Sequence, residues 1–134
     1  MPAAMRPRTY TLAEARALLP QVKALMAQAQ AARKQLVAHQ PALWAVLRSA
    51  ATNGGNAEAS AALPAFNLLE VGLKGILNLG ILIQDVDAGL VDFVGMRDGK
   101  QVYLCWQYGE DNIEFWHEMD AGFAGRHPID DRIA

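Results

Sequence analysis

Along most of this chain the apolar positions recur with a helical period, and near its end they switch to alternation. Thr11-Leu12-Ala13-Glu14 has the form of a capping box, in which a Thr hydroxyl and a Glu carboxylate satisfy two orphan backbone donors, so a helix is predicted to begin there. From Leu18, small or apolar residues recur at spacings of four and three through Val22, Leu25, Ala29, Ala32, Leu36, His39, Leu43 and Val46, a heptad seam that calls for a partner helix. Pro20 and Pro41 fall within this span, and each removes a backbone donor and crowds the preceding turn, so a kink or break is expected at both. Thr52-Asn53-Gly54-Gly55-Asn56 then ends a first helix placed at 11–50.

A second helix is predicted over 57–86, with Pro64 in the first turn of its main part and the seam Ala62, Phe66, Leu69, Leu73, Ile76, Gly80 and Ile83. The two form an antiparallel helical hairpin. A neighbouring seam, Leu68, Gly72, Gly75, Leu79, Leu82 and Val86, makes the second helix apolar over most of its circumference, so it must be covered on two sides. Interior glycines cost about 1 kcal/mol each in helix propensity, which implies a close approach to the backbone by the chain's own sheet or by a second copy of the chain. Gly72, Gly75 and Leu79 are therefore the candidate self-association residues, and a homodimer through this helix is expected.

After Asp87-Ala88-Gly89 the period becomes two, and three strands are predicted at 90–95, 101–108 and 112–118. Asp98-Gly99 between the first two suits a type I′ turn, which places Phe93 opposite Leu104 and Val91 opposite Trp106. A four-residue turn over 109–112 places Trp106 opposite Phe115 and Leu104 opposite His117. The helix-facing side then carries Val91, Phe93, Leu104, Trp106, Ile113 and Phe115. The opposite side carries Asp92, Tyr103, Cys105, Gln107, Glu114, Trp116 and Glu118, with Asp92, Cys105 and Trp116 in a row. A one-residue slip would exchange the faces of a strand. The fold class is α+β: a single domain over 1–134, with the hairpin, a three-stranded antiparallel β-meander over 89–118 packed on it, and an irregular tail over 119–134.

Composition narrows the class. At 134 residues, 52% hydrophobic and 19% charged, the chain fits one globular domain. Its beginning has no secretory pattern, its most apolar stretch is broken by Glu70, Lys74 and Asn78, and its lone Cys105 fits a reducing compartment; a cytoplasmic location is expected. Net charge is −2, unevenly spread: residues 1–50 carry seven Lys/Arg against Glu14 alone, and residues 51–134 carry five against thirteen Asp/Glu. The plain reading is two parts of one fold that complement each other. The basic first helix also admits a nucleic-acid binder, but its charges are spread out and no recognised motif accompanies them.

Between Gly89 and Arg126 the chain concentrates seven of its ten aromatic residues. Gly89-Leu90-Val91-Asp92-Phe93, Leu104-Cys105-Trp106 with Gly109-Glu110, Trp116-His117-Glu118 and Gly122-Phe123-Ala124-Gly125-Arg126, together with the opening Tyr10-Thr11-Leu12, Ala15, Leu18, Leu19 and Pro20, resemble a small prokaryotic family catalogued as a domain of unknown function, number 2203. The resemblance implies that residues 89–126 are the working part and brings no activity, substrate or catalytic residue with it.

The residues themselves offer incomplete chemistry. His117-Glu118, with His127 ten positions on, invites comparison with a zinc-protease helix, but the position of the second ligand holds Ala121. A looser metal site from Asp92, Cys105, Glu118 and a histidine lacks a close ligand pair. Cys105 and His117 suit a nucleophile and base, yet the derived register puts them on opposite faces. Trp116 on the outer face needs a cover: either the tail folds back, with Phe123 on Trp116 and Arg126 paired with Glu118 or Asp92, or a ligand or partner sits there with Arg126 meeting an anion. The candidate binding residues are Asp92, Cys105, Glu110, Trp116, His117, Glu118 and Arg126. No cofactor or metal is expected. The leading expectation is a non-catalytic binding or self-association module, and the alternative is a small enzyme or metal-binding protein using Asp92, Cys105, Glu118 and Arg126.

Overall fold

A computed structural model describes residues 8–38 and 57–134. The first helix, α1 (Leu12–Ala38), opens on the expected capping box: Thr11 N–H donates to Glu14 Oε1 at 2.8 Å and Glu14 N–H to Thr11 Oγ1 at 3.1 Å. It runs through Pro20 without a break, although the proline lies beyond the first turn and removes the donor that would pair with the Arg16 carbonyl. The second helix, α2 (Ala57–Asn78), contains Pro64 in its interior rather than at its start. His39, Pro41, Leu43, Val46 and the 52–56 turn lie outside the described residues.

The two helices pack antiparallel. Leu36 meets Ala62 and Ala65, and further along, Leu25 and Ala29 of α1 close on Gly72. A Cβ at Gly72 would stand 2.9 Å from the Leu25 carbonyl oxygen, and one at Gly75 would stand 2.8 Å from a Leu25 methyl. Within the chain the glycines therefore admit α1 rather than the sheet. The buried stripe of α1 is Ala15, Leu19, Val22, Met26, Ala29, Ala32 and Leu36. On α2, Leu63, Phe66, Leu68 and Val71 remain exposed, so the continuous seam through Phe66 is not what packs.

The helix expected to reach residue 86 stops at Asn78. Gly80 takes φ +78°, a conformation that ends a helix at little cost only for glycine, and a side chain there would meet the Arg8 backbone nitrogen. The apolar residues beyond it form a strand, β1 (Leu82–Asp85). The sheet accordingly has five strands: β1, β2 (Leu90–Arg97), β3 (Lys100–Gln107), β4 (Phe115–Glu118) and β5 (His127–Pro128), in spatial order β1-β2-β3-β4-β5 and antiparallel throughout. The predicted three-strand meander forms its centre, and the supposedly irregular tail supplies a strand and a 3₁₀ turn (Phe123–Gly125).

Asp98 (φ +52°) and Gly99 (φ +78°) make the expected turn, and Phe93 pairs with Leu104 and Val91 with Trp106. The next connection departs by one residue: Leu104 pairs with Trp116, Cys105 with Phe115 and Tyr103 with His117. Glu110 causes the slip. Its side chain accepts the Gln107 N–H at 2.7 Å, and its carbonyl accepts the Trp106 indole N–H at 3.0 Å, fixing a wider connection than a four-residue turn. Ile113 leaves the strand pattern and enters the core. Every face assignment on β4 is therefore exchanged.

The main core lies between α1 and the sheet, with Val22, Met26, Ile76, Val91, Phe93, Leu104, Trp106 and Ile113 each fully enclosed. Polar side chains of α1 reach past it: Arg16 donates to the Ile113 carbonyl, Lys23 to that of Asp111, and Gln30 to those of Val86 and Asp87, while Arg33 pairs with Asp87 at 2.9 Å. These bonds commit three cations of α1 to the acidic part of the same chain.

Candidate functional site

The slip in β4 gathers the chemistry. On the face of the sheet away from the helices, Asp92 of β2, Cys105 of β3 and His117 of β4 now stand side by side, with their ligating atoms all within 4.8 Å of one another. They are 1%, 0% and 3% exposed, which is unusual for Asp and His and requires partners for each polar atom. His117 Nδ1 lies 2.8 Å from the Glu118 carbonyl oxygen and Nε2 lies 3.0 Å from Asp92 Oδ1. A carbonyl oxygen only accepts, so Nδ1 carries a proton, and a further proton occupies the Nε2–Oδ1 contact. Gln84 of β1 donates to Asp92 Oδ2 at 3.0 Å.

Cys105 is a thiol in this setting. Burial pushes its pKa up to about 12, and the adjacent Asp92 carboxylate adds to the effect. That removes the nucleophile-and-base reading at neutral pH, although the pair now shares a face. A bound cation would reverse the balance, since a metal stabilises thiolate directly.

Bond lengths of about 2.0–2.3 Å to zinc imply tetrahedral edges of roughly 3.3–3.7 Å, so each of the three atoms needs to move by about 1 Å or less to close on one ion. The His117 ring has one nitrogen already committed to a backbone carbonyl, the usual arrangement behind a metal-binding histidine.

The remaining predicted site residues go elsewhere. Trp116 is 7% exposed and belongs to the helix-facing core, with the Arg97 guanidinium 4.5 Å from its ring centroid and the His127 ring at 4.6 Å. Phe115 takes the outer position assigned to Trp116. Glu118 sits on Trp116's side of β4 and pairs with His127 at 3.2 Å, which holds its carboxyl below the usual range after the larger effect of a backbone hydrogen bond. Arg126 pairs with neither Glu118 nor Asp92; its Nη2 donates to both Glu110 oxygens at 2.7 and 2.8 Å, and it stacks over Phe115 at 4.0 Å and Phe123 at 4.6 Å. Phe123 therefore covers Arg126, not Trp116. Gln84 was hidden inside the overlong helix, and the signal that could have found it was Gly80, a residue type at which helices commonly end, ahead of the apolar run Ile81-Leu82-Ile83.

A pocket of about 490 Å³ opens beside the cluster. Asp92 and His117 form part of its wall, with Gln84, Tyr103, Met119, Asp120 and Phe123 around them; Cys105 is not part of the lining. Among the described residues, no helix is long and apolar enough to cross a membrane.

Among the described residues, fold and site together define an α+β protein with two helices layered on a five-stranded antiparallel sheet and a buried Asp-Cys-His cluster on the open face. The chain belongs to the family described as uncharacterized conserved protein (DUF2203), whose profile matches residues 8–129. No curated protein and no solved structure matches it significantly.

Proposed function

We propose that this protein binds a divalent transition metal of the zinc type on Asp92, Cys105 and His117. The observation that carries the reading is the convergence of three buried ligand atoms within 4.8 Å, with the second nitrogen of His117 already held by a backbone carbonyl. One imidazole, one thiolate and one carboxylate form a borderline-soft set suited to zinc or cobalt rather than magnesium or calcium. Charge balance supports a divalent ion: the proton shared by His117 and Asp92 and the Cys105 proton leave together, and two positive charges replace them in a site that cannot tolerate a net charge.

The test is metal analysis of untagged protein purified without added metal, followed by cobalt reconstitution. The expected result is one tightly held ion per chain and, with cobalt, a thiolate-to-metal absorption band that Cys105→Ser abolishes. Protein that retains no zinc or cobalt after gel filtration refutes the proposal.

A second reading, self-association through α2, is supported by the exposure of Leu63 (55%), Phe66 (40%), Leu68 (46%) and Val71 (59%). Gly72, Gly75 and Leu79 do not carry it, since they are occupied within the chain. Native mass spectrometry over a concentration range tests it, with a monomer at all concentrations as the refuting outcome.

A further inference from the structure

Three protein ligands leave a tetrahedral ion one position short, and the pocket walled by Asp92 and His117 is the open space beside them. What can fill that position is limited by charge. A divalent ion with one carboxylate, one thiolate and one neutral imidazole is itself uncharged. The pocket lining contributes no lysine or arginine and one further carboxylate, Asp120. Arg126, stacked on Phe123 of the pocket wall, is not itself in the lining; its Nη2 is paired with both Glu110 oxygens, while its buried Nε has no hydrogen-bond partner. A phosphate or carboxylate entering this pocket would meet an uncharged metal centre and the Asp120 charge, with no lysine or arginine in the lining to receive it.

Beside Gln84 and the small Ala121 and Gly122, the remaining lining is Leu90, Tyr103, Met119 and Phe123, whose alkyl group, rings and thioether suit an apolar or aromatic body. Tyr103 already lies against the His117 ring, 5.3 Å between centroids, so an aromatic surface leads directly to the metal-binding edge. The volume, about 490 Å³, matches a small molecule rather than a peptide segment or nucleic acid.

We infer that the fourth coordination position is a ligand site for a small uncharged molecule, one that presents a lone-pair donor such as a carbonyl oxygen, amine or imidazole nitrogen to the metal and an apolar body to Tyr103 and Phe123. Anionic ligands are rejected, with Asp120 as the specificity-determining residue. The inference rests on the metal-binding reading, and its test separates the two.

Cobalt-loaded protein is titrated at pH 7.5 with imidazole and, separately, with acetate, and the ligand-field spectrum is followed in wild type, Asp120→Asn and Tyr103→Ala. Imidazole is expected to change the wild-type spectrum saturably while acetate does not. Asp120→Asn is expected to strengthen acetate binding by roughly tenfold, the scale of removing one nearby like charge, with imidazole little altered. Tyr103→Ala is expected to weaken imidazole and leave the cobalt–thiolate band in place. Failure to form that band overturns the metal centre itself. A normal band that neither ligand perturbs overturns the open fourth position, and acetate binding as tight as imidazole in wild type overturns the charge selection.

Discussion

Replacing Asp92 by Asn separates the structural role of the buried cluster from its proposed chemistry. Asp92 is 1% exposed and its two oxygens serve two partners, Oδ1 facing His117 Nε2 at 3.0 Å and Oδ2 accepting from Gln84 at 3.0 Å. Asparagine reproduces the whole pattern: its carbonyl accepts from Gln84, its amide donates to Nε2 of a neutral His117, and Nδ1 still donates to the Glu118 carbonyl. Since a buried ion pair gains little over a well-bonded neutral substitute, Asp92→Asn should lie within about 1 kcal/mol of wild type in chelator. Asp92→Ala strands the His117 nitrogen and the Gln84 amide and leaves a void, which together cost about 3 kcal/mol, roughly 10 °C in Tm for a chain of this size. Zinc reverses the ranking of the bonded pair. At a hundredfold excess over Kd the wild type should gain about 2.7 kcal/mol, and Asp92→Asn, with a weaker ligand and an unbalanced charge, should gain almost nothing. Urea denaturation with chelator and with zinc measures all of these values. Equal destabilisation by Asn and Ala in chelator would refute the hydrogen-bond account, because the negative charge itself would then hold the site together.

Cys105, with its pKa pushed up to about 12, should react with iodoacetamide at pH 8 roughly a thousand times more slowly in the native chelated protein than after denaturation; comparable rates would show that the thiol is not enclosed as described. Gly72→Ala should lose about 1–2 kcal/mol by urea denaturation, since its Cβ meets the Leu25 carbonyl, whereas Gly75→Ala meets only mobile Leu25 methyls and should be near neutral; the opposite order would refute the close approach of the two helices. Asp130, whose carboxyl is held below its ordinary value of 3.8 chiefly by a hydrogen bond from Arg97, has a depressed folded pKa. Its contribution is therefore present above that ordinary value and lost as pH falls through the folded one, so the C-terminal contact with β2 should loosen below about pH 4, an effect that Asp130→Asn removes from an acid titration followed by hydrogen exchange.

Local patterns were enough for several elements. The capping box at Thr11, the α1 stripe, the Asp98-Gly99 turn and the pairing of β2 with β3 depend on residues close in sequence, where capping, helical period and turn chemistry act directly. The α+β class followed from the change of period at Gly89. The end of α2 was less visible, because Leu79, Ile81, Leu82 and Ile83 satisfy a helical seam and a buried strand equally well, and only Gly80 in positive φ together with pairing to β2 decides between them. Likewise, the interior glycines announced a close approach, but which element approached depended on the docking of α1.

The candidate site was decided by tertiary structure alone. Asp92, Cys105 and His117 were each singled out from the sequence, but their convergence turns on a one-residue register, and that register is set by where the Glu110 side chain and carbonyl capture Gln107 and Trp106. A strand's alternation specifies that successive residues face opposite ways; it does not specify which set faces the core when both sets contain aromatics. Phe115 and Trp116 present that ambiguity, and burying Trp116 against the helix-facing core, between Arg97 and His127, resolves it and turns His117 toward Asp92.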